Sequence, residues 1–234
     1  MNEPEISSAT AGSFIESLAS VAPMSESDYM THVFKTEIIP TVERWGFDTR
    51  FLKQAKPLTK KQSATMESVA GRMSGIGAIV ALVGARGTGK TTITARIAIE
   101  RAWKNWHEAR AAKPLHFHSV IYRKCSTIVD RYKPLFADFG SLEVESLRNS
   151  MEYLCKEQEF LVIDELHECA DMKFKRVILS DLIDRRYSHL RDTIIIANQT
   201  AADFEATIGD SILSRLHEHG LIIPCNWPSF RVQP

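Results

Sequence analysis

The chain has 234 residues, 44% of them hydrophobic and 25% charged, which predicts one globular domain with a sizeable core and some additional chain. The formal net charge is zero and the pI is about 7.1, so overall charge favours no class of partner. A run of ~18 apolar residues and a signal peptide are both missing from the sequence, which argues against a membrane partner and predicts a soluble, cytoplasmic protein.

The amino-terminal third is predicted to be an appendage. Residues 1–25 are rich in Ser, Ala and Glu without a clear period and are expected to form a mobile tail. Residues 26–76 are expected to hold a helical segment, Ser27–Phe51, broken at Pro40, then a linker and a second helix, Gln62–Ser74. This region is too short for an independent enzyme domain, and we expect it to dock a partner.

A glycine-rich motif follows the first predicted strand, Ala78–Val83. Gly84–Thr91 matches the phosphate-loop pattern G-x-x-x-x-G-K-[ST] at every position, and apolar residues at helical spacing follow from Thr92 to Trp103. Such a turn directs backbone N–H groups and the helix dipole at a phosphate. The residues expected to bind the cofactor are Gly84, Ala85, Arg86, Gly87, Thr88, Gly89, Lys90, Thr91 and Thr92.

The motif predicts a role for each of its last two side chains. Lys90 can reach the β- and γ-phosphates of a nucleotide, and the Thr91 hydroxyl can bind Mg²⁺. ATP and Mg²⁺ are therefore the expected cofactors. The alternative is a chance match in an ordinary strand-turn-helix, which the fitting elements on both sides disfavour.

The rest of the chain alternates strands and helices. Continuous apolar strands separated by helices predict an α/β fold of the P-loop NTPase type, with a five-stranded parallel sheet between helices. The predicted elements are a helix to Ala111, strand His118–Arg123, helix Ser126–Phe139 broken or kinked at Pro134, helix Leu142–Lys156, strand Glu159–Asp164, helix Phe174–Ser188, strand Thr193–Ala197, a polar turn, helix Asp210–His217 and strand Leu221–Ile223.

The third predicted strand ends in two carboxylates, Asp164 and Glu165. Asp164 is placed to hold Mg²⁺ through its water shell, as a Walker B aspartate does, and Glu165 is a candidate base for the attacking water. A strand followed by a solvated acidic turn is the alternative, and the preceding phosphate loop makes a nucleotide hydrolase the better interpretation.

Two later polar residues are weaker candidates for catalysis. Asn198 ends the fourth strand and would lie near the γ-phosphate, although a strand-terminating turn explains it equally simply. Arg215 stands on a short helix before the last strand, where a surface arginine is the default.

Charge is unevenly distributed along the chain. Residues 77–140 carry 11 Lys and Arg against 4 Asp and Glu, whereas residues 141–234 carry 10 against 16. This asymmetry suits head-to-tail association or nucleic acid on one face, and two solvated faces explain it equally well.

From Ala78 to Arg231 the chain resembles the AAA+ ATPases, specifically the bacterial helicase-loader and transposition-helper group. The resemblance rests on Gly84–Thr91, Val162–Glu165, Asn198 as sensor 1, Ser214-Arg215-Leu216 at the arginine-finger position, and the ending Asn226–Arg231. It implies an ATPase domain over 77–234 without the usual C-terminal lid domain. It also implies a head-to-tail homo-oligomer, in which Arg215 acts on ATP bound by a neighbouring subunit.

The resemblance further implies a DNA-binding segment after the second strand. In the group a helical insertion there lines the assembly and touches single-stranded DNA, and here it would be Thr127–Phe139. Arg131 and Lys133 would contact phosphates, while Tyr132 and Phe136 would stack on bases. The alternative is that the two aromatic residues belong to the core and the cations are solvated.

The sequence therefore predicts an ATP-dependent helicase loader that assembles on single-stranded DNA and helps place a replicative helicase. One alternative is a transposition helper that binds duplex DNA and recruits a transposase. Another is a nucleotide-gated binding module with little hydrolysis, although Glu165 and Arg215 would then be superfluous.

Overall fold

The computed structural model describes residues 25–53, 58–111, 119–136, 142–166 and 172–229. Residues 1–24 of the predicted tail lie outside this part. The chain divides into two units, Met1–Glu37 and Ile38–Pro234. In the first unit a helix begins at Glu26, where the Ser25 hydroxyl accepts the Asp28 N–H and caps the first turn. The predicted domain boundaries at residues 25 and 76 stay predictions.

Helices alternate with strands as predicted. The helices are α1 Glu26–Val33, a π-helical turn Phe34–Ile38, α2 Ile39–Arg44, α3 Thr49–Lys53, α4 Lys60–Arg72, α5 Lys90–Arg110, α6 Cys125–Tyr132, a 3₁₀ turn Lys133–Leu135, α7 Leu142–Lys156, α8 Met172–Ser188, α9 Ala201–Ile208 and α10 Asp210–His219. The strands are β1 Ile79–Val83, β2 Val120–Lys124, β3 Phe160–Asp164, β4 Asp192–Ala197 and β5 Leu221–Pro224.

The five strands form one parallel sheet in the order β2-β3-β4-β1-β5. Every residue of β1, β3 and β4 is buried, because helices cover both faces of a parallel sheet. Side chains of β1, β3 and β4 on one face share a core with α6, α7, α8, α9 and α10. Helices α2, α3 and α4 pack against α5. The predicted α/β class and five-stranded parallel sheet are confirmed.

One predicted element was wrong, and two predicted helix breaks agree with the structure. Residues Ala201–Ile208 form a helix instead of a polar turn, because Thr200 caps it by accepting the Asp203 N–H. The helix is broken at Pro134, as predicted, since α6 ends at Tyr132 and a 3₁₀ turn that contains the proline follows. The predicted break at Pro40 coincides with the start of α2, whose first turn holds the proline, a position where proline is tolerated.

No helix in the described part of the chain has the length and hydropathy needed to cross a membrane. Cys125, Cys155 and Cys225 are free thiols and are buried. Cys169, the remaining cysteine, lies outside the described part.

The edge of the sheet where the strands begin is fastened by a buried arginine. Arg186 of α8 is fully buried, and its guanidinium donates to the carbonyls of Leu154, Gln158, Glu159 and Asp192 and to the Thr193 hydroxyl. These groups belong to the end of α7 and the starts of β3 and β4. Arg186 therefore joins three elements at the edge opposite to the phosphate loop.

Arg186→Met should destabilise the fold by more than about 2 kcal/mol, because several buried carbonyls lose their donor together. Urea denaturation followed by circular dichroism measures the change. Arg148→Met is the control, since that side chain is 68% exposed. An Arg186→Met midpoint equal to that of the control would contradict the structural role.

Candidate nucleotide-binding site

The phosphate loop joins β1 to α5 through three glycines in the left-handed region. Gly84, Gly87 and Gly89 have φ values of 140°, 83° and 87°, which side chains rarely tolerate. Gly84 is also crowded, since a Cβ there would lie 2.4 Å from the Cys225 carbonyl oxygen. These glycines allow the loop to turn tightly, so that its backbone N–H groups can be presented at the start of the 21-residue helix α5.

Lys90 lies over this loop and not in solvent. Its side chain is 4% exposed, and its ammonium donates to the carbonyls of Gly84 and Ala85, at 2.7 Å each, and to the Thr88 hydroxyl. Its charge is therefore held inside the turn where the phosphates are expected. Of the other predicted loop residues, Ala85 and Arg86 are exposed, Thr88 is buried and Thr92 is half-buried on α5.

The structure brings the two predicted metal ligands together. The Thr91 hydroxyl donates to Asp164 Oδ2 at 2.7 Å, although the residues are far apart in the chain. Hydroxyl and carboxylate oxygens are the ligand types that Mg²⁺ prefers, and Mg²⁺ is commonly held by one or two side chains together with substrate phosphates. The donor set fits a magnesium–nucleotide complex.

Glu165 directly follows the strand in an unusual backbone conformation. Its φ is 56°, in the left-handed region, and its N–H donates to Asp164 Oδ1 at 2.6 Å. Its carboxylate forms an ion pair with Lys124, Nζ to Oε2 at 2.7 Å. Glu165 is therefore beside the metal ligands, where a base for water is needed, and is restrained by a cation that the sequence analysis did not select.

Two residues of β2 belong to this site and were missed. Lys124 pairs in register with Asp164, so Tyr122, two residues earlier, points to the same face of the sheet. The Tyr122 hydroxyl donates to Asp164 Oδ2 at 2.8 Å. Burial and the neighbouring Asp164 charge raise the pKa of Tyr122, so its hydroxyl keeps the proton that it donates. Only the register of β2 against β3 could have indicated that Tyr122 and Lys124 belong to the site.

A second pair of missed residues holds the far side of the loop. Gln62 of α4 and Trp227, after β5, both donate to the Thr88 carbonyl, at 3.3 Å and 2.6 Å. Elements before β1 and after β5 therefore meet at one carbonyl of the phosphate loop. Residues outside the glycine motif therefore help to fix the position of the phosphate loop.

The two weaker catalytic candidates lie in different places. Asn198 follows Ala197, which pairs with Val83, so it lies at the same sheet edge as the phosphate loop. Arg215 interacts with α8 and its own helix: it forms an ion pair with Asp184 at 3.1 Å and donates to the Ser211 carbonyl and hydroxyl. Within one subunit these contacts do not join Arg215 to the phosphate loop.

The predicted DNA segment is partly accessible. Arg131 and Phe136 are exposed, and Lys133 lies with its ammonium 4.7 Å from the Phe174 ring centroid. Tyr132 is 4% exposed, and its hydroxyl shares a hydrogen bond with the Ser150 hydroxyl. Its predicted role in base stacking was therefore wrong. The amphipathic turn of α6 directs it into the core. Residues 137–139 of the segment lie outside the described part.

Comparison with other proteins gives a consistent result. No protein-family model matches the chain. The replicative helicase loader DnaC of Escherichia coli K12 is 28% identical over 149 residues, which are 63% of this chain and 54% of that protein. The chain thus spans about half the length of the curated relatives it matches.

Solved structures share the fold. A crystal structure of the DnaC helicase loader superposes with a TM-score of 0.54 at 20% identity, covering 76% of this chain and 99% of that one. A crystal structure of DnaI gives a TM-score of 0.50 at 16% identity, covering 83% and 93%. Together with the sequence relatives, these similarities confirm the resemblance drawn from the motifs: the chain is similar to DnaC-type helicase loaders of the AAA+ group.

Proposed function

We propose that the chain is a magnesium-dependent ATPase that acts as a replicative helicase loader. The observation that supports hydrolysis best is the convergence of Lys90, Thr91, Asp164 and Glu165 at the carboxyl edge of the sheet. These side chains supply a cation for phosphates, two oxygen ligands for a metal and a carboxylate for water, which together are the parts that phosphoryl transfer to water requires.

Each residue has a distinct task in this proposal. Lys90 binds the β- and γ-phosphates, and Thr91 and Asp164 would hold Mg²⁺, which neutralises phosphate charge when bound. Glu165 orients and deprotonates the attacking water, and Asn198 hydrogen-bonds that water from the neighbouring strand. Lys124 pairs with Glu165 through Oε2, so Oε1 is the oxygen of Glu165 that would accept the proton in this proposal.

We further propose that the site is completed by a second copy of the chain. Arg215 contacts α8 and its own helix within the subunit, so it would reach ATP only across a subunit boundary. A guanidinium there would stabilise the negative charge that spreads over the γ-phosphoryl group in the transition state. Head-to-tail assembly follows, since each subunit would give a pocket on one side and Arg215 on the other.

The loader function itself rests on the relatives. The curated proteins that match this chain are named replicative helicase loaders. In this proposal residues 26–76 dock the replicative helicase, while the exposed residues Arg131 and Phe136 and the half-buried Lys133 contact single-stranded DNA. One copy offers too few contacts for useful affinity, so several copies aligned by ATP would be needed.

DNA binding should therefore require nucleotide. Fluorescence anisotropy with labelled single strands and duplexes, with and without a slowly hydrolysed ATP analogue, measures it. We expect tighter binding to single strands with the analogue, and a steep loss of affinity with added salt. Phe136→Ala should weaken the binding free energy for single strands by roughly 1–3 kcal/mol per stacked base.

Two charge reversals make the test specific. Lys133→Glu should weaken binding to all sequences alike, because phosphates carry no sequence information. Lys104→Glu is the control, since Lys104 is an exposed lysine of α5 that pairs with Glu108. Tighter binding to duplex would favour the transposition helper, and no binding to either form would remove the DNA role.

A further inference from the structure

The Asp164 carboxylate is held by three donors, one of which lies outside both nucleotide motifs. The hydroxyls of Thr91 and Tyr122 donate to Oδ2, and the Glu165 N–H donates to Oδ1. A carboxylate has about four acceptor sites, so these donors leave one site on Oδ1 for a metal-bound water. The Tyr122 hydroxyl, being buried, has to keep a partner, which gives Asp164 a fixed orientation.

Tyr122 is in turn held by a loop that precedes the ATPase motifs. Its N–H donates to the Trp45 carbonyl at 2.8 Å, and its ring lies 4.9 Å from that of Phe47, centroid to centroid. The Arg123 guanidinium donates to the same Trp45 carbonyl. Because β2 is an edge strand, this turn between α2 and α3 occupies the side of the sheet that has no further strand.

Glycine is required at the centre of this turn. Gly46 has a φ of 105°, and a Cβ there would lie 2.5 Å from the Tyr122 carbonyl oxygen and 2.6 Å from Arg123 Nη1. The turn therefore approaches β2 as closely as backbone can. A displacement of residues 45–47 would be passed directly to Tyr122.

We propose that Tyr122 is a positioning residue for Asp164, and that the turn 45–47 sets the position of Tyr122. The magnesium half of the site then depends on the segment that carries α2 and α3, through the path from Trp45 to Tyr122 to Asp164. This inference rests on the proposed function, since it assigns Asp164 to Mg²⁺. Through these contacts, a partner that docks on the amino-terminal segment would influence the metal site.

Tyr122→Phe tests the first step, because it removes the hydroxyl and keeps the ring against Phe47. The readout is equilibrium binding of a fluorescent, slowly hydrolysed ATP analogue, titrated with Mg²⁺ and repeated in EDTA. We expect unchanged affinity in EDTA and a rise of roughly tenfold in the half-saturating Mg²⁺ concentration, the size typical for partners of metal ligands. Tyr153→Phe is the control, since Tyr153 is 58% exposed.

Gly46→Ala tests the second step. It should raise the half-saturating Mg²⁺ concentration as Tyr122→Phe does, and the double variant should show no further rise, because both act through one contact. Gly71→Ala is the matched control, since a Cβ at Gly71 meets nothing within 4 Å. Thermal melts identify any variant that does not fold, and Tyr122→Phe alone then decides.

The outcomes separate the two proposals. Wild-type protein that fails to bind the analogue would overturn the proposed function and this inference with it. Wild-type binding that Mg²⁺ strengthens, with an identical Mg²⁺ titration for Tyr122→Phe, would overturn only the positioning role. Additive shifts from Gly46→Ala and Tyr122→Phe would overturn the link through the turn.

Discussion

Glu165→Gln should reduce the rate of ATP hydrolysis by at least about a hundredfold while ATP affinity stays unchanged. Glutamine has nearly the same size as glutamate but cannot accept the proton of the attacking water, and general bases contribute about 10²–10⁴ in rate. The substitution also removes the ion pair with Lys124, whose nitrogen lies 2.7 Å from the carboxylate. Single-turnover hydrolysis and fluorescent-nucleotide binding measure the two quantities separately.

Two reference variants frame this result. Lys90→Ala should abolish nucleotide binding. Among the described residues, Lys90 has the only positively charged side chain that lies inside the turn of the phosphate loop, and this variant removes it. Glu205→Gln, at an exposed position of α9, should change neither rate nor affinity. Hydrolysis by Glu165→Gln at the wild-type rate would show that another group activates the water.

Arg215→Ala should bind ATP normally and hydrolyse it about 10³–10⁵ times more slowly, the range that arginine fingers contribute. Asp184→Asn is the critical control. It breaks the ion pair that Arg215 makes within its own subunit but leaves the guanidinium in place. If Arg215 only joins α10 to α8, the two variants should have the same activity. If it acts on nucleotide, only Arg215→Ala should be inactive.

Mixing extends this prediction to the assembly. In a mixture, Arg215→Ala subunits supply intact nucleotide pockets and Lys90→Ala subunits supply intact Arg215 side chains. Some subunit boundaries then combine both and should hydrolyse ATP. The specific activity of wild-type protein should also rise with its concentration as subunits associate. A rate per subunit that is independent of concentration, with no recovery on mixing, would place the complete active site in one subunit.

The parts of the fold that follow from local sequence were predicted well. The strands β1, β3 and β4 are continuous apolar runs, and helix α7 has the predicted limits, Leu142 and Lys156. The phosphate loop could be placed because its glycines are required locally, by backbone angles that other residues rarely adopt. Asp164 and Glu165 followed from their place at the end of a buried strand.

What the sequence could not provide is the pairing of distant segments. Tyr122 and Lys124 reach Asp164 and Glu165 only because β2 lies beside β3 in one particular register. An arginine such as Arg186 is expected at the surface, and its burial depends on carbonyls from three separate elements. Tyr132 was assigned to the surface because aromatic and basic residues alternate there, and helix rotation decides between core and solvent.

The decisive measurement is the transfer of the replicative helicase from the same cell onto a closed circular single strand, which offers no free end for threading. Wild-type protein with ATP should place the helicase on the circle, measured by co-elution in gel filtration and by unwinding of an annealed oligonucleotide. Lys90→Ala, or the omission of ATP, should prevent it. Helicase that stays off the circle with wild-type protein and ATP, under conditions where the protein binds both nucleotide and single strands, would contradict the loader function.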